Sequence, residues 1–152
     1  MASQVGTQHW LANNYAQILD VDGNYSSAAV VTASAVDMRD YEGIVLICMT
    51  SALTGSGMTL LEIVAADNAA LTTNVVQVKT SGTVACDAVG DYTVLEASVD
   101  EMRHLSDAGG YTSRYMGARL TNDNAGDECV LTVIAYGPKH GPTLNLTAET
   151  IA

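Results

Sequence analysis

The most constraining stretch of the sequence runs from Ser113 to Pro138, where two apolar segments flank a short polar cluster. The first segment reads RYMGARLT, the cluster reads NDNAGD, and the second segment reads ECVLTVIAYG. Segments rich in Val, Ile, Thr and Tyr are typical of β-strands, whereas Asn, Asp and Gly are typical of turns. The pattern therefore predicts two strands that are joined as a β-hairpin.

The second of these strands is apolar on both of its faces. Cys129, Leu131, Val133 and Ala135 alternate along it with Val130, Thr132, Ile134 and Tyr136. A half-exposed strand buries one face in its own core, so a second apolar face indicates a cover that comes from elsewhere. The strand predicted over residues 43–51 has the same character from Ile44 to Met49. Both strands therefore predict a surface that packs against another subunit.

The middle of the chain repeats short apolar segments at intervals of about ten residues, separated by turns rich in Gly, Asn and Ser. These segments cover residues 28–36, 43–51, 58–67, 73–80 and 92–99. Ser98 and Glu101 match a capping box and Gly109-Gly110 a stop signal, which predicts one or two helical turns. The chain is therefore predicted to be all-β: a jelly-roll-like antiparallel β-sandwich with one short helical turn and extended N- and C-terminal arms.

The two ends of the chain lack this regular spacing. We predict an N-terminal arm over residues 1–27, a sandwich domain over 28–137 and a C-terminal arm over 138–152. Alternating leucines in the tail predict a strand added to the edge of another sheet, while the alternative for the N-terminus is partial disorder. The predicted partner-binding residues are apolar or aromatic anchors: His9, Trp10, Leu11, Tyr15, Val130, Ile134, Tyr136, Leu144 and Leu146.

Charge and composition exclude several classes of partner. The formal net charge is −11, from 17 acidic and six basic residues, and nucleic-acid binding needs clustered Lys or Arg instead. No apolar run is long enough to cross a membrane, and no secretory signal is visible. Cys48, Cys86 and Cys129 have no CxxC spacing, so we predict reduced thiols and synthesis in the cytoplasm.

The search for chemistry predicts no catalytic residue, no cofactor and no metal site. His104 lies four residues after Asp100, a spacing that is typical of an exposed helix face. Asp123, Asp127 and Glu128 suggest weak Ca²⁺ binding, but a solvated acidic turn is the favoured interpretation.

Arg119 and Tyr115 leave two interpretations open. The pair can anchor a carboxylate-bearing partner, or the arginine can form an ion pair with an acidic neighbour on its own surface.

Five segments carry a resemblance to a known family: GTQHWLANNYA (6–16), YEGIVL (41–46), LEIVAAD (61–67), SRYMGARLT (113–121) and LTVIAYGPKH (131–140). Their order resembles the small β-sandwich decoration, or cement, proteins of tailed-bacteriophage capsids. The resemblance implies a structural virion protein on the capsid exterior, made in the host cytoplasm. It further implies a homotrimer that bridges neighbouring major capsid protein subunits and has no catalytic residues.

Three other functions stay open at this point. One is a different virion component, such as a tail tube, a head-completion protein or a fibre base, which oligomer number would distinguish. The second is a carbohydrate-binding sandwich module with Tyr92, Tyr111, Tyr115 and Tyr136 lining a shallow site, although aromatics make up only 5% of the chain. The third is an enzyme whose site forms between subunits.

Overall fold

The computed structural model describes residues 15–21, 29–55, 57–83, 86–122 and 126–139. Within these ranges the chain forms strands with one helix between the sixth and the seventh. The elements are β1 (Tyr15–Val21), β2 (Ala29–Asp37), β3 (Gly43–Ala52), β4 (Met58–Ala66), β5 (Val76–Thr80), β6 (Tyr92–Ser98), α1 (Val99–Ala108), β7 (Tyr115–Asn122) and β8 (Glu128–Tyr136).

The strands form two antiparallel four-stranded sheets. Sheet I has the order β1-β8-β3-β6, and sheet II has the order β2-β7-β4-β5. Successive strands lie in different sheets at almost every connection, and among the described strands only β4 and β5 are consecutive in sequence and also adjacent within one sheet. This order is that of an eight-stranded jelly roll. The predicted all-β sandwich is confirmed.

The core lies between the two sheets, and among the described side chains it is built mainly from one face of β3, β4, β7 and β8. Leu46 from β3, Leu61 and Ile63 from β4, Leu120 from β7 and Leu131 from β8 are all buried there. Their side chains alternate with residues on the outer faces, as the two-residue period of a strand requires. In β4, Leu61, Ile63 and Ala65 lie in the core, as their alternation in the sequence indicates.

Helix α1 begins at the predicted capping box. The Ser98 side chain accepts a hydrogen bond from the Glu101 N–H at 3.2 Å, and Glu101 Oε2 accepts one from the Ser98 N–H at 2.9 Å. The helix has ten residues, so it is longer than the one or two turns predicted. Val99 and Met102 on its inner side join the sandwich core, which explains the greater length: tertiary burial stabilises helical turns that local signals alone do not specify.

The predicted hairpin between the last two strands is wrong. Strand β7 pairs with β2 and β4 in sheet II, whereas β8 pairs with β1 and β3 in sheet I. At the crossing, Asn122 Nδ2 donates a hydrogen bond to the carbonyl of Asp127 at 3.0 Å, and both residues are buried. The connection between β7 and β8 therefore carries the chain from one sheet to the other instead of reversing it within one.

The predicted N-terminal arm contains a strand of the sandwich. Strand β1 pairs with β8 from Tyr15↔Ala135 to Val21↔Cys129, so sheet I begins before residue 28. An edge strand is held by backbone hydrogen bonds to one neighbouring strand. A hydrophobic pattern in the sequence does not reveal this pairing. His9, Trp10 and Leu11, together with Leu144 and Leu146 of the predicted C-terminal arm, lie outside the described residues.

Candidate interaction surface

The face of sheet I that points away from the core is mainly apolar. Cross-strand register places β3 between β6 and β8, so that Val45 stands opposite Ile134 on one side and Glu96 on the other. We call this the outer face of sheet I. It comprises Val45, Ile47 and Met49 of β3, Tyr92, Val94 and Glu96 of β6, and Val130, Thr132, Ile134 and Tyr136 of β8.

Several side chains of the outer face of sheet I are exposed to an extent that is unusual for apolar residues. Tyr92 is 67% exposed, Val94 49% and Met49 40%. Val130, Ile134 and Tyr136, three of the predicted partner-binding residues, lie half-buried beside them. Soluble monomers rarely expose contiguous apolar patches of more than a few hundred Å² unless the patch binds something. This face is therefore the candidate functional site.

Sequence reasoning missed the contribution of β6 to this surface. The alternation of Tyr92, Val94 and Glu96 is visible in the sequence, but it does not reveal which face of the strand is turned outward. Only the register with β3, which pairs Tyr92 with Met49 and Val94 with Ile47, adds these residues to the patch.

Tyr136 occupies one end of the outer face of sheet I, above Gly43. A Cβ at Gly43 would lie 2.3 Å from the Tyr136 hydroxyl oxygen and 2.7 Å from the carbonyl oxygen of Ala97, so only glycine fits beneath the ring. Burial, a hydrogen bond to Glu96 and neighbouring carboxylates raise the pKa of Tyr136 to about 12. The phenol therefore stays neutral at physiological pH.

The apolar cluster on the outer face of sheet II is covered by the chain itself. The β4–β5 loop, residues 67–75, places Leu71 over Val64 and Ala66, and all three are buried in a small second cluster. Gly117 makes room for this cover, because a Cβ there would lie 2.6 Å from Leu71 Cδ1. Leu71 adopts a φ of +52°, which is rare for a residue other than glycine.

Arg119 lies on the same face of sheet II. Its surroundings distinguish between the two interpretations of this residue, an anchor for a partner's carboxylate and an ion pair within the protein. Its Nη1 lies 3.4 Å from Oε2 of Glu62 on the neighbouring strand β4, and Glu62 is 6% exposed. The geometry supports an ion pair within the protein rather than an anchor for a partner's carboxylate.

Leu71→Ala is expected to lower the free energy of unfolding by about 2–4 kcal/mol, because it removes a buried leucine and leaves a cavity. The measurement is urea denaturation. Leu53→Ala, in a half-buried loop position, is the matched control and should cost less. Equal losses for the two variants would contradict the role of Leu71 as the cover of sheet II.

Asp127 is not part of a solvated acidic turn. It is fully buried, and its Oδ1 accepts hydrogen bonds from the backbone N–H groups of Thr54 at 2.7 Å and Gly55 at 2.8 Å. Its Oδ2 accepts a third, from Gly57 at 2.9 Å. The carboxylate therefore holds the β3–β4 loop, which is a different role from the Ca²⁺ site considered above; Asp123 lies outside the described residues.

Asp37 at the end of β2 forms ion pairs with two arginines. Arg114 binds it through Nε at 3.0 Å and also through Nη2, while Arg39 binds it through Nη2 at 2.9 Å. The Arg114 guanidinium also lies 4.9 Å from the centroid of the Tyr115 ring. The hydrogen bonds from Arg114, assisted by Arg39, hold the pKa of Asp37 well below its usual range.

The lowered pKa of Asp37 predicts a loss of stability in acid. A carboxyl group with a lower pKa in the folded state stabilises the protein above its unfolded pKa of about 3.9, and this contribution disappears as pH falls below that value. Asp37→Asn should therefore destabilise the protein by about 1 kcal/mol at pH 7, and by progressively less below pH 4. Thermal melts between pH 2 and 7 test this, and an unchanged difference across that range would contradict it.

The four tyrosines considered for a carbohydrate site do not lie close to one another. Tyr92 and Tyr136 stand opposite Met49 and Gly43, so about 20 Å of β3 separates their positions. Tyr111 follows α1, and Tyr115 lies on sheet II. The four tyrosines thus share no single shallow site for a sugar.

His104 is exposed on α1, as predicted, and its helix neighbour Asp100 lies 4.0 Å from Arg103. All three cysteines are buried, and none forms a disulfide bond among the described residues. A hydrogen bond with Cys129 and burial raise the pKa of Cys48.

Among the described residues, no three His, Cys, Asp or Glu side chains form a group that could hold a metal ion. The one described helix, α1, is too short to span a bilayer, and no other described segment forms a long apolar helix.

Comparison with known proteins gives structural likeness at low similarity. No family model and no curated protein sequence matches the chain. Among solved structures, PirA is similar with a TM-score of 0.43 and 12% identity, over 81% of this chain and 94% of that one. A subunit from the disulfide-linked pili of Bacillus endospore appendages is similar with a TM-score of 0.39 and 14% identity, over 83% and 89%.

Proposed function

We propose that the protein is a structural subunit of a virion, which binds the outside of a bacteriophage capsid and stabilises it by bridging neighbouring major capsid protein subunits. It acts as a homotrimer, with the outer face of sheet I as the contact between protomers. The terminal segments with Trp10 and Leu144 bind the capsid.

The observation that carries this proposal is the difference between the two outer faces. Sheet II buries its apolar residues Val64 and Ala66 under Leu71 of its own chain. Sheet I leaves Met49, Tyr92 and Val94 exposed among the described residues. Because the described residues cover the apolar cluster on one outer face and leave the other exposed, we take the exposed face as the one available for another subunit.

A trimer also gives the terminal anchors a physical advantage. Three copies of a weak capsid contact that act together raise the overall avidity by roughly two to four orders of magnitude over one contact. The acidic net charge of −11 keeps undocked subunits apart by repulsion, except where apolar contact outweighs it.

The first test is the mass of the purified full-length protein in solution, by light scattering after size exclusion. We expect a trimer at about 48 kDa, three times the chain mass of 15.9 kDa. A monomer that also fails to sediment with undecorated capsids would contradict the proposal. A hexameric or larger ring would favour a tail or head-completion component instead.

Trp10→Ala tests the capsid contact separately from the trimer. We expect the variant to stay trimeric but to bind capsids at least tenfold more weakly, because a buried Trp anchor is worth 2 kcal/mol or more at an interface. Co-sedimentation with capsids measures this. Val89→Ala, at an exposed apolar residue in the β5–β6 loop, is the matched control and should bind normally.

A further inference from the structure

A cavity of about 390 Å³ lies between α1 and the segment that leads into β7. Met38 and Met102 form an apolar part of its lining, and both are almost completely buried. Its volume falls within the range of pockets that hold a small ligand or a few side chains. None of the residues that form this cavity belongs to the outer face of sheet I.

The charge of the cavity is opposite to the charge of the whole chain. Three of the six basic residues, Arg39, Arg103 and Arg114, line it together with a single carboxylate, Asp107. Asp37 behind them occupies Nε and Nη2 of Arg39 and Arg114, but the described structure gives their Nη1 groups no hydrogen-bond partner.

Arg103 is the least occupied of the three guanidinium groups. Within the described part of the chain it has one ion-pair contact, with Asp100 at 4.0 Å, and that carboxylate is 96% exposed. Such a distant and exposed pair holds the guanidinium weakly. A cluster of arginines with free donors in an acidic protein favours an anionic ligand, and planar guanidinium groups suit carboxylates.

Two hydroxyl groups in the lining have no hydrogen-bond partner among the described residues. Ser106 Oγ and Ser113 Oγ are buried, and neither has a hydrogen bond in the described structure, although Ser106 is only 2% exposed. A buried polar group without a hydrogen-bond partner destabilises the protein, and a ligand that accepts a hydrogen bond from it removes this penalty. Both serines border the same cavity as the arginines.

We infer that this cavity binds the carboxylate of an Asp or Glu side chain in an extended segment of a partner protein. The carboxylate accepts hydrogen bonds from Arg103 and the two serine hydroxyls, and a neighbouring apolar side chain of the segment packs on Met38 and Met102. This inference rests on the proposed function, because the partner that supplies the segment is the capsid. The positive charge of the cavity is the reason for an acidic side chain in that segment.

The test is an NMR titration of the full-length protein with the peptide acetyl-Ala-Leu-Glu-Leu-Ala-amide. We expect the backbone amide signals of Met38, Met102, Ser106 and Ser113 to shift together, with a Kd on the order of 1 mM. The matched probe replaces Glu by Gln and should cause no shift at these residues. Inorganic phosphate is the third probe.

Two variants separate binding from a structural role. Ser106→Ala should weaken binding of the glutamyl peptide about tenfold, because it removes a hydrogen bond to a charged group. Its melting temperature should be unchanged or higher, since an unsatisfied hydroxyl is lost. Arg103→Gln should weaken binding about threefold to fivefold, as expected for an exposed charge, whereas Lys79→Gln, a basic residue outside the cavity, should not.

Equal shifts with the glutamyl and glutaminyl peptides would overturn the inference, as would saturation by phosphate with no response to the glutamyl peptide. An absence of shifts up to about ten times the expected Kd would overturn it as well. The solution mass is measured without peptide, so a failure of the trimer is distinguishable from a failure of the cavity.

Discussion

Asp127→Ala is expected to lower the free energy of unfolding by about 3–5 kcal/mol, the largest effect of any single substitution away from the central core. Among the described residues, the carboxylate accepts hydrogen bonds from the backbone N–H groups of Thr54, Gly55 and Gly57 in the β3–β4 loop, at 2.7, 2.8 and 2.9 Å. The substitution leaves donors that each cost about 1–3 kcal/mol when they are buried without a partner. Water that enters the loop limits the total.

Asp127→Asn distinguishes the hydrogen bonds from the space that the side chain fills. The amide keeps one acceptor oxygen, which can retain the bonds from Thr54 and Gly55. Its NH₂ group then faces the N–H of Gly57, where a donor meets a donor. We therefore expect about half of the loss that Asp127→Ala causes.

Chemical denaturation monitored by circular dichroism measures both variants. Asp87→Ala is the matched control, because Asp87 is an exposed acid in another loop, and its effect should stay within about 0.5 kcal/mol. A loss below about 1 kcal/mol for Asp127→Ala would contradict the assignment of Asp127 as the residue that holds the loop.

The elements of this fold could be predicted from sequence because their signals are local. The alternation of Leu61, Ile63 and Ala65 indicates which face of β4 is buried. The capping box of Ser98 and Glu101 indicates where the helix begins. These signals operate over two to four residues, which is the range that a single sequence displays.

The pairing of strands could not be predicted, because nothing local decides it. A cluster of Asn, Asp and Gly serves a hairpin and a crossing between sheets equally well, and the choice here accompanies the burial of Asp127 against residues about 70 positions earlier. The same applies to Leu71, which lies over Val64 with its own backbone in the left-handed region at a φ of +52°.

Only part of the candidate surface could be predicted, because its full extent depends on how the strands pair. Val130, Ile134 and Tyr136 were visible as the second apolar face of one strand. The two-sided apolar character of β3 pointed to the same surface, but the exposed Tyr92 and Val94 joined it only through register. A pattern can indicate that a face needs a cover, whereas the extent of that face is a property of the whole sheet.

Ile134→Asp is expected to convert the trimer into a folded monomer. Ile134 lies half-buried on the outer face of sheet I, and its neighbours Val133 and Ala135 supply the core instead. A carboxylate at its position would be desolvated without a partner at the centre of an apolar contact, which costs several kcal/mol per protomer. Light scattering should give a mass near 15.9 kDa, with the melting transition retained.

Two controls decide what a positive result means. Val89→Asp adds the same charge at a valine that is 65% exposed in the β5–β6 loop, and it should leave the trimer intact. Val133→Asp places the charge in the sandwich core beside Ile134, and it should unfold the chain. A folded monomer from Ile134→Asp alone therefore assigns the outer face of sheet I to self-association, because net charge and core disruption are both accounted for. If Ile134→Asp stays trimeric, the contact between protomers lies elsewhere, and the exposed apolar face then belongs to the capsid.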